Sequence, residues 1–502
     1  MLRGLAGPAR ARLAAHAEAV AAPAGEWLFR QGDAGDALYV VRSGRLEAVR
    51  EAPEPAAVLR EIGRGALVGE LAILTGDPRS ASVRAVRDSE LLRIPRSAVE
   101  ALLEDPGFSA ALLAALGRQL AASAALASAA GPPAPRTVAV VAAAPGAPVR
   151  RVADVLAATV RAPSAVLDGA GLAAEAFGPA LDAAEAAGRV VLVADGPAED
   201  PWAGFCLRQA DRALVLAPGG PPPPGMAPGL RDRDLALCFP VHAADAAPWL
   251  DALAPRARHL IRPGGPFAAD AARAARRVAG RSVGVVLSGG GARGLAHLGV
   301  LAELADAGIT VDRLGGASMG AFVAGLSAIV TDPREAVAIC RAELVARRPF
   351  RSYGMPRAAL LRSAPVEAML GRAFAQRSFE ELALDAFAVS ADLVAAEVVV
   401  HRRGRIRDAV RASLSVPGWL PPVPAGRRLL VDGGVLDNLP VDVMAAAEEG
   451  PVVAVDVMGR GLADPGRLPE RLPSAVDTVA RATVLGSWRA ADANRQAAAL
   501  EA

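Results

Sequence analysis

The sequence predicts a multidomain chain in which a small β barrel of jelly-roll type precedes two α/β regions. Three observations carry this expectation. The chain has 502 residues, too many for one hydrophobic core and enough for two to four domains. Between residues 25 and 96, short apolar stretches are separated by turn residues about every 8 to 12 positions, the pattern of a barrel or sandwich. From residue 137 onward, apolar runs alternate with alanine-rich helical stretches, as in βα units around a parallel sheet.

The first region offers the strands "EWLFRQGD", "ALYVVRSGRLEAVR", "AVLREIGRG", "ASVRAV" and "SELLRIP", then a helical stretch from Ser97 to Ala130 and the linker "GPPAPR". These bound a domain over 1–130. The second, over 131–280, alternates "TVAVVAAAP", "AEAAGRVVLVADG" and "ADRALVLAPGGPPPPG" with helices. Its first turn sits where a phosphate loop would, but lacks GxxxxGK[ST], so a structural or docking role fits better. The third, over 281–502, reads as a largely parallel three-layer α/β domain. It runs from the strand "SVGVVLSGG" through the helix "LAHLGVLAELADAG", the short strand "DRLGGAS" and the helix "MGAFVAGLSAIV" to the later strands "FAVSADL", "EVVVHRRG", "LLVDGG" and "PVVAVDVMG".

Composition removes several function classes. Hydrophobic residues make up 53% of the chain, yet no uninterrupted apolar run reaches about 18 residues, the length of a membrane span. The N-terminus "MLRGLAGPARARLAAHAEAV" breaks its apolar stretch with Arg, His and Glu, unlike a secretory signal. A cytoplasmic protein is expected. Cys206, Cys238 and Cys340 are too far apart for a zinc motif or a disulfide framework and read as core thiols. A formal charge of +2, from 55 basic and 53 acidic residues, gives no case for nucleic acid. There is no lysine at all, which excludes a Schiff base, a serine–lysine dyad and a P-loop lysine.

The chemistry concentrates in the third region. In "VGVVLSGGGARGLAHLGVL", a strand meets a glycine cluster and then a helix, a place where unpaired N–H groups receive negative charge, either a cofactor phosphate or a reaction oxyanion. Gly289, Gly291 and Gly294 satisfy G-x-G-x-x-G, with Asp312 lying 23 residues beyond the first. That is the spacing of a dinucleotide fingerprint, except that Asp312 precedes its strand instead of ending it. The rival reading comes from "GGASMGA". Gly316, Ser318 and Gly320 form G-x-S-x-G between a strand and a helix, the context of a nucleophilic serine on a strained turn. Of five histidines, His16, His242 and His259 lie outside this region and His401 sits in the charged "HRRGR". His297 follows the glycine loop, as a base or as a packed helix residue. Asp432, which ends an apolar strand and precedes two glycines, is the better base, although a structural turn aspartate would look the same.

The pieces "GGGARG", "GASMG" and "DGG", together with "FAVSADL", "AVRASLSVPGWLPPV" and "DNLP", resemble the patatin-like phospholipase family over roughly 282–458. The resemblance implies a patatin-like α/β/α domain, Ser318 as nucleophile, Asp432 as base and Gly316 and Gly320 as the elbow glycines. It also implies an oxyanion hole in the loop of Gly289, Gly290, Gly291, Arg293 and Gly294. The donors would be backbone N–H groups of Gly290, Gly291 and their neighbours, with Arg293 fixing the loop or adding positive charge. Catalysis would need no cofactor or metal, and the substrate would be a lipid ester, reached by peripheral membrane contact. The stretch "RRPFRSYGMPRAALLR", 347–362, with Phe350, Tyr353 and Met355 among arginines, reads as a lipid-facing lid or an ordinary surface loop. The end, "RQAAALEA", falls short of a last strand expected from the family.

Upstream, "VGELAILTGDPRSASVRA" and "GEWLFRQGDAGDALYVVRSGRLEA" resemble cyclic-nucleotide-binding domains. The resemblance implies cyclic AMP or cyclic GMP as a regulatory ligand, or a barrel that keeps the shape without the ligand. Gly69, Glu70, Leu71 and Ala72 would offer helix-start N–H groups, Glu70 would accept from the ribose, Arg79 would pair with the phosphate and Ser80 would add a hydroxyl. A cyclic-nucleotide domain ahead of a patatin-like domain is the arrangement of the neuropathy target esterase subfamily, which "PWAGFCLRQADRALVLA" also resembles. Three functions follow: a serine hydrolase of lipid esters, a nucleotide-sensing regulator with an inactive hydrolase domain, and a dinucleotide-dependent oxidoreductase.

Overall fold

The computed structural model describes residues 16–51, 57–103, 108–109, 112, 135–159, 164–197, 200–226, 228–354 and 359–458. The chain divides into two compact units, one of residues 1–141 with 161–213, the other of 142–160 with 214–502.

The first unit begins with a six-stranded antiparallel sheet of β1 (Glu18–Ala22), β2 (Trp27–Phe29), β3 (Ala37–Arg50), β4 (Ala57–Ile62), β5 (Leu67–Val68) and β6 (Ser82–Pro95). Leu38, Val40, Ile94 and Val99 fill one side of it, and Tyr39, Val41, Leu46, Ile62 and Leu91 fill the other, as alternation along a strand requires. The expected strands "ASVRAV" and "SELLRIP" are one continuous β6. Their apparent break is absorbed by register shifts against β3 between Val41 and Leu46, where Gly44 has φ +90° and Ser89 Oγ accepts from Arg45 N at 3.0 Å. A bulge with a left-handed glycine thus does the work that the sequence assigns to a turn. Of the helical stretch expected over 97–130, Arg96–Leu103 is described and helical. This unit also holds the parallel strands β7 (Thr137–Ala142), β8 (Ser164–Asp168) and β9 (Arg189–Ala194).

The second unit contains a parallel run of β10 (Arg212–Ala217), β11 (Asp234–Leu237) and β12 (Ala257–Leu260). A seven-stranded sheet follows, of β13 (Val283–Leu287), β14 (Val311–Ala317), β15 (Asp385–Asp392), β16 (Glu397–His401), β17 (Val423–Ala425), β18 (Arg428–Asp432) and β19 (Val452–Val455), in the order 17-18-15-14-13-19 with β16 on β15. Strands β19, β13, β14 and β15 are parallel, whereas β16, β17 and β18 pair antiparallel. The sheet is therefore mixed, where the sequence predicts a largely parallel one. Val398 and Val400 on β16 and Leu429 on β18 are exposed, which an antiparallel extension tolerates and a central parallel strand does not.

The sheet is covered on both faces. Val285, Leu287 and Leu314 face the larger core, closed by the helices Ala296–Asp306, Met319–Ile329, Ala364–Phe374 and Ile406–Ser413. Val286, Ala317, Phe387 and Val389 face a smaller core with Leu439 and Met444. Among the described residues, no helix is long and apolar enough to cross a membrane. Cys206, Cys238 and Cys340 are free thiols; the first and last are buried and Cys238 is half-buried. The tail "RQAAALEA", which reads as falling short of a last strand, lies outside the described residues.

Candidate active site

Strand register alone brings Ser318 to Asp432. β15 carries β16 along one edge over Ala388–Asp392. Its other edge pairs first with β14, up to Ala317 opposite Val389, and then with β18, starting at Asp432 opposite Ser390. β14 and β18 thus run head to head on a single edge, one ending just before the serine and the other ending at the aspartate. Ser318 Oγ donates to Asp432 Oδ2 at 2.6 Å. The sequence places Asp432 at the C-terminal edge of the sheet; the carboxylate does reach that edge, but on a strand that enters antiparallel from beyond it.

The serine sits in a strained turn. Its φ of +53° is sterically costly for a residue with a Cβ and persists only where the surroundings dictate it. The flanking glycines show how. A Cβ at either Gly316 or Gly320 would collide with the Leu287 carbonyl oxygen of β13, so the elbow lies directly on the neighbouring strand. Gly315 has no room for a side chain because the Phe387 ring fills that space. Ser413 Oγ accepts from the Ser318 backbone N–H at 2.8 Å and so fixes the start of the helix Met319–Ile329.

Asp432 is buried. Its Oδ1 accepts from Gly434 N at 2.8 Å, which leaves Oδ2 for the serine. Burial raises this carboxyl from its ordinary 3.8 to about 6, against the lowering effect of the Ser318 and Gly434 hydrogen bonds. A carboxylate held in that range next to a hydroxyl is suited to proton transfer near neutral pH.

The glycine loop packs against the serine: a Cβ at Gly289 would lie 3.0 Å from Ser318 Cβ. Its backbone groups divide by task. Gly289 N donates to Asn438 O at 3.1 Å, and Asn438 Nδ2 donates to Gly289 O at 3.3 Å, so Gly289 is clamped and its N–H is not a free donor. Arg293 N donates to Gly290 O at 3.2 Å. The N–H groups of Gly290 and Gly291, at the start of the 3₁₀ turn Gly291–Leu295, have no acceptor among the described residues. Gly294 is buried where a Cβ would press on the Met319 side chain. Arg293 is exposed.

His297 is not at the serine. Its Nε2 bonds the Ser288 carbonyl at 2.8 Å, and burial lowers its pKa; it is a packed helix residue. His401 bonds Ser390 Oγ at 2.7 Å and is pushed down to about 4 by burial and by Arg428. The dinucleotide reading of Asp312 fails for a structural reason: Asp312 is buried at the beginning of β14 and held by Arg276 Nε at 2.9 Å, with no surface for a ribose. In the 347–362 stretch, Phe350 packs against the main core and Tyr353 is 62% exposed; Met355 lies outside the described residues. Backbone bonds from Leu360 to Gly418 and from Leu361 to Trp419 stitch the stretch into the domain, which argues against a free lid.

In the N-terminal sheet, the helix Glu70–Thr75 is capped by Gly69 with φ +80°. Arg79 is buried. Its Nη1 donates to Gly69 O at 2.8 Å, and its Nη2 donates to Ala37 O at 2.8 Å and Asp36 Oδ1 at 3.1 Å. The guanidinium lies 4.2 Å over the Phe29 ring, and its Nε is buried without an acceptor. A Cβ at Gly69 would strike the guanidinium, so these two residues require each other. Glu70 and Ala72 are buried, while Leu71 and Ser80 are exposed.

Sequence reasoning passed over Ser413 and Asn438. Both lie inside stretches that carry the family resemblance, "AVRASLSVPGWLPPV" and "DNLP", but residue type and spacing alone give no reason to single them out, because their partners are backbone groups far away in the chain.

Residues 285–445 match the family model of patatin-like phospholipases, and residues 19–105 match that of cyclic nucleotide-binding domains. The chain is 39% identical over 462 residues to an uncharacterized NTE family protein of Mycobacterium tuberculosis, covering 89% of this chain and 77% of the relative. It belongs to the NTE family. It is also 29% identical to lysophospholipase NTE1 of Cryptococcus neoformans, over 86% of this chain and 32% of that protein. A similar likeness, 29% over 87% of this chain and 37% of the relative, holds for patatin-like phospholipase domain-containing protein 6 of Pongo abelii.

Proposed function

We propose that the chain hydrolyses carboxylic esters of lipids, lysophospholipids or phospholipids, with Ser318 as nucleophile and Asp432 as general base. The single observation that carries this reading is the 2.6 Å bond from the hydroxyl of a serine at φ +53° to a buried carboxylate. Asp432 takes the proton as Oγ attacks the ester carbonyl carbon. The N–H groups of Gly290 and Gly291 receive the developing oxyanion, each worth about 3 to 4 kcal/mol at the transition state. The leaving alcohol takes the proton from Asp432 and an acyl-serine remains. Water, deprotonated by the same carboxylate, then attacks the acyl carbon, and as the bond to Oγ breaks Asp432 returns that proton to Ser318 Oγ and the fatty acid leaves. No metal or cofactor enters these steps.

A fluorophosphonate probe tests the reading. It should label the wild type and leave Ser318→Ala unlabelled, and a lipid panel should show loss of ester hydrolysis with the same substitution. Labelling that persists in Ser318→Ala would place the nucleophile elsewhere, and an unlabelled wild type would favour a nucleotide-sensing regulator with an inactive hydrolase domain.

For the N-terminal domain, we propose cyclic AMP or cyclic GMP as a regulatory ligand. The match of residues 19–105 to cyclic nucleotide-binding domains, with Arg79 buried beside the start of the helix Glu70–Thr75, supports this reading.

A further inference from the structure

We propose that one face of the catalytic unit, made by two adjacent hairpin tips and a basic groove, docks on an anionic phospholipid bilayer; this rests on the reading above that the substrate is a lipid ester. The first tip is the turn between β15 and β16, with Leu393 51% and Val394 69% exposed. The second joins β17 to β18 and presents Arg427 and Arg428, followed by the exposed Leu429. Both tips lie at the nucleophile's end of the sheet. Ser318 follows Ala317, which is opposite Val389, and the turn begins four residues past Val389, roughly 13 Å further along at about 3.3 Å per residue.

These apolar side chains are not loosely held. Asp392 Oδ1 accepts from Val394 N at 2.9 Å and from Leu429 N at 3.2 Å, while Leu393 N donates to Leu429 O at 2.9 Å. One buried carboxylate therefore ties the two tips into a fixed platform. Leu393, Val394 and Leu429, with Val398 and Val400 along β16, keep exposed apolar surface together where a folded chain ordinarily avoids it.

Charge selects the occupant. A groove of about 930 Å³ extends from the tips, lined by Arg402, Arg403, Arg427 and Arg428 together with Val400 and Leu430, and none of its lining residues is acidic. Arg402 leans on Asp385, Arg403 on Asp251 and Glu380, and Arg428 more distantly on Asp392 at 3.8 Å. Arg427 has no ion pair among the described residues. Exposed acids border this face at Glu397 near the tip and at Asp251, the partner of Arg403. Apolar tips beside a guanidinium-lined groove suit insertion below a layer of phosphate headgroups, with the arginines at phosphate level. A neutral protein partner would leave Arg427 without a counter-charge.

The test is flotation of the full chain with vesicles of phosphatidylcholine alone or mixed with phosphatidylglycerol, at low and high salt. Wild type should float with the mixed vesicles, less so at high salt. Arg427→Gln with Arg428→Gln should weaken that binding about 25-fold, at about five-fold per charge. Leu393→Gln with Val394→Gln should weaken it at least about tenfold. Both double variants should keep wild-type turnover of a soluble short-chain ester, which shows that they fold. Ser318→Ala should float like wild type, so a failed hydrolase assignment would leave this result standing. The proposal is overturned if both double variants float like wild type, if neutral and anionic vesicles bind equally, or if Tyr353→Ser alone abolishes flotation.

Discussion

Replacing Asp432 by Asn should inactivate the enzyme and stabilise the fold at the same time. The side chain is buried, Oδ1 is taken by Gly434 N and Oδ2 by Ser318 Oγ. Asparagine preserves that shape, accepting from Gly434 and donating to the serine, but it cannot accept the serine proton. The kcat should therefore fall by about 100-fold or more. The carboxyl is raised from 3.8 to about 6 by burial, so the folded state holds the proton more tightly than the unfolded chain. The ionised side chain thus opposes folding above pH 6 by on the order of 3 kcal/mol. That cost shrinks as pH falls from 6 toward 3.8 and is gone below it. The Asn variant should accordingly melt higher than wild type at pH 7.5, with the gap closing near pH 4, followed by near-UV circular dichroism of the full chain. The wild type should show an acid limb in kcat/KM falling tenfold per pH unit below about 6, since only the ionised base accepts a proton. His297→Gln, which removes a bond to the Ser288 carbonyl, should cost far less activity. An Asn variant within tenfold of wild-type kcat, or a larger loss at His297 than at Asp432, would refute the assignment of the base.

Two further outcomes are expected. Gly320→Ala drives a Cβ into the Leu287 carbonyl and should slow labelling by the fluorophosphonate probe by more than about tenfold, because a backbone collision of that kind costs several kcal/mol or displaces the elbow; labelling at the wild-type rate would mean that the turn relaxes freely. Arg79→Ala should abolish binding of cyclic AMP and cyclic GMP in calorimetry, a loss of about 2 to 5 kcal/mol for a buried charge-assisted pair, with Glu70→Gln weakening it less. Absence of heat with both nucleotides in the wild type would leave the domain a structural role.

What the sequence made legible was chemistry tied to local backbone demands. A serine between glycines at a strand–helix junction can be read because the elbow needs those glycines within two residues, and their collisions with Leu287 are the physical counterpart of the motif. The strand before Asp432 could be read from its apolar run, but its direction could not: β18 pairs with β15 over only three residues, Ser390 to Asp392, and nothing in its composition separates that from a parallel neighbour. The single β6 reads as two strands because Asp88 and Ser89 look like turn residues, while the bulge that keeps the strand continuous is supplied by Gly44 on the partner strand. Phe350 reads as surface because arginines surround it in the chain, although it is half-buried against the core. In each case the missing information lay in a long-range partner.

The same logic explains why two motifs 29 residues apart, at Gly289 and Ser318, act as one object. β13 and β14 pair in register with Leu287 opposite Gly316, and the chain leaves β13 at Leu287 to form the glycine loop and leaves β14 at Ala317 to form the elbow. Both departures occur at one level of the sheet, so the loop's unpartnered N–H groups and the serine hydroxyl come together without any long loop to position them. The aspartate arrives at that level because β18 stops where β14 stops, on the same edge of β15. A one-residue slip of β18 would carry Asp432 to the opposite face of the sheet and leave Ser318 without its acceptor. The register is held by Gly433, whose missing side chain lets it lie on the Val389 carbonyl, and by Asp432 N donating to Ser415 O at 3.0 Å. The glycine after the aspartate thus serves the sheet, and the "DGG" signature records a strand end fixed in place as much as it records the proposed base.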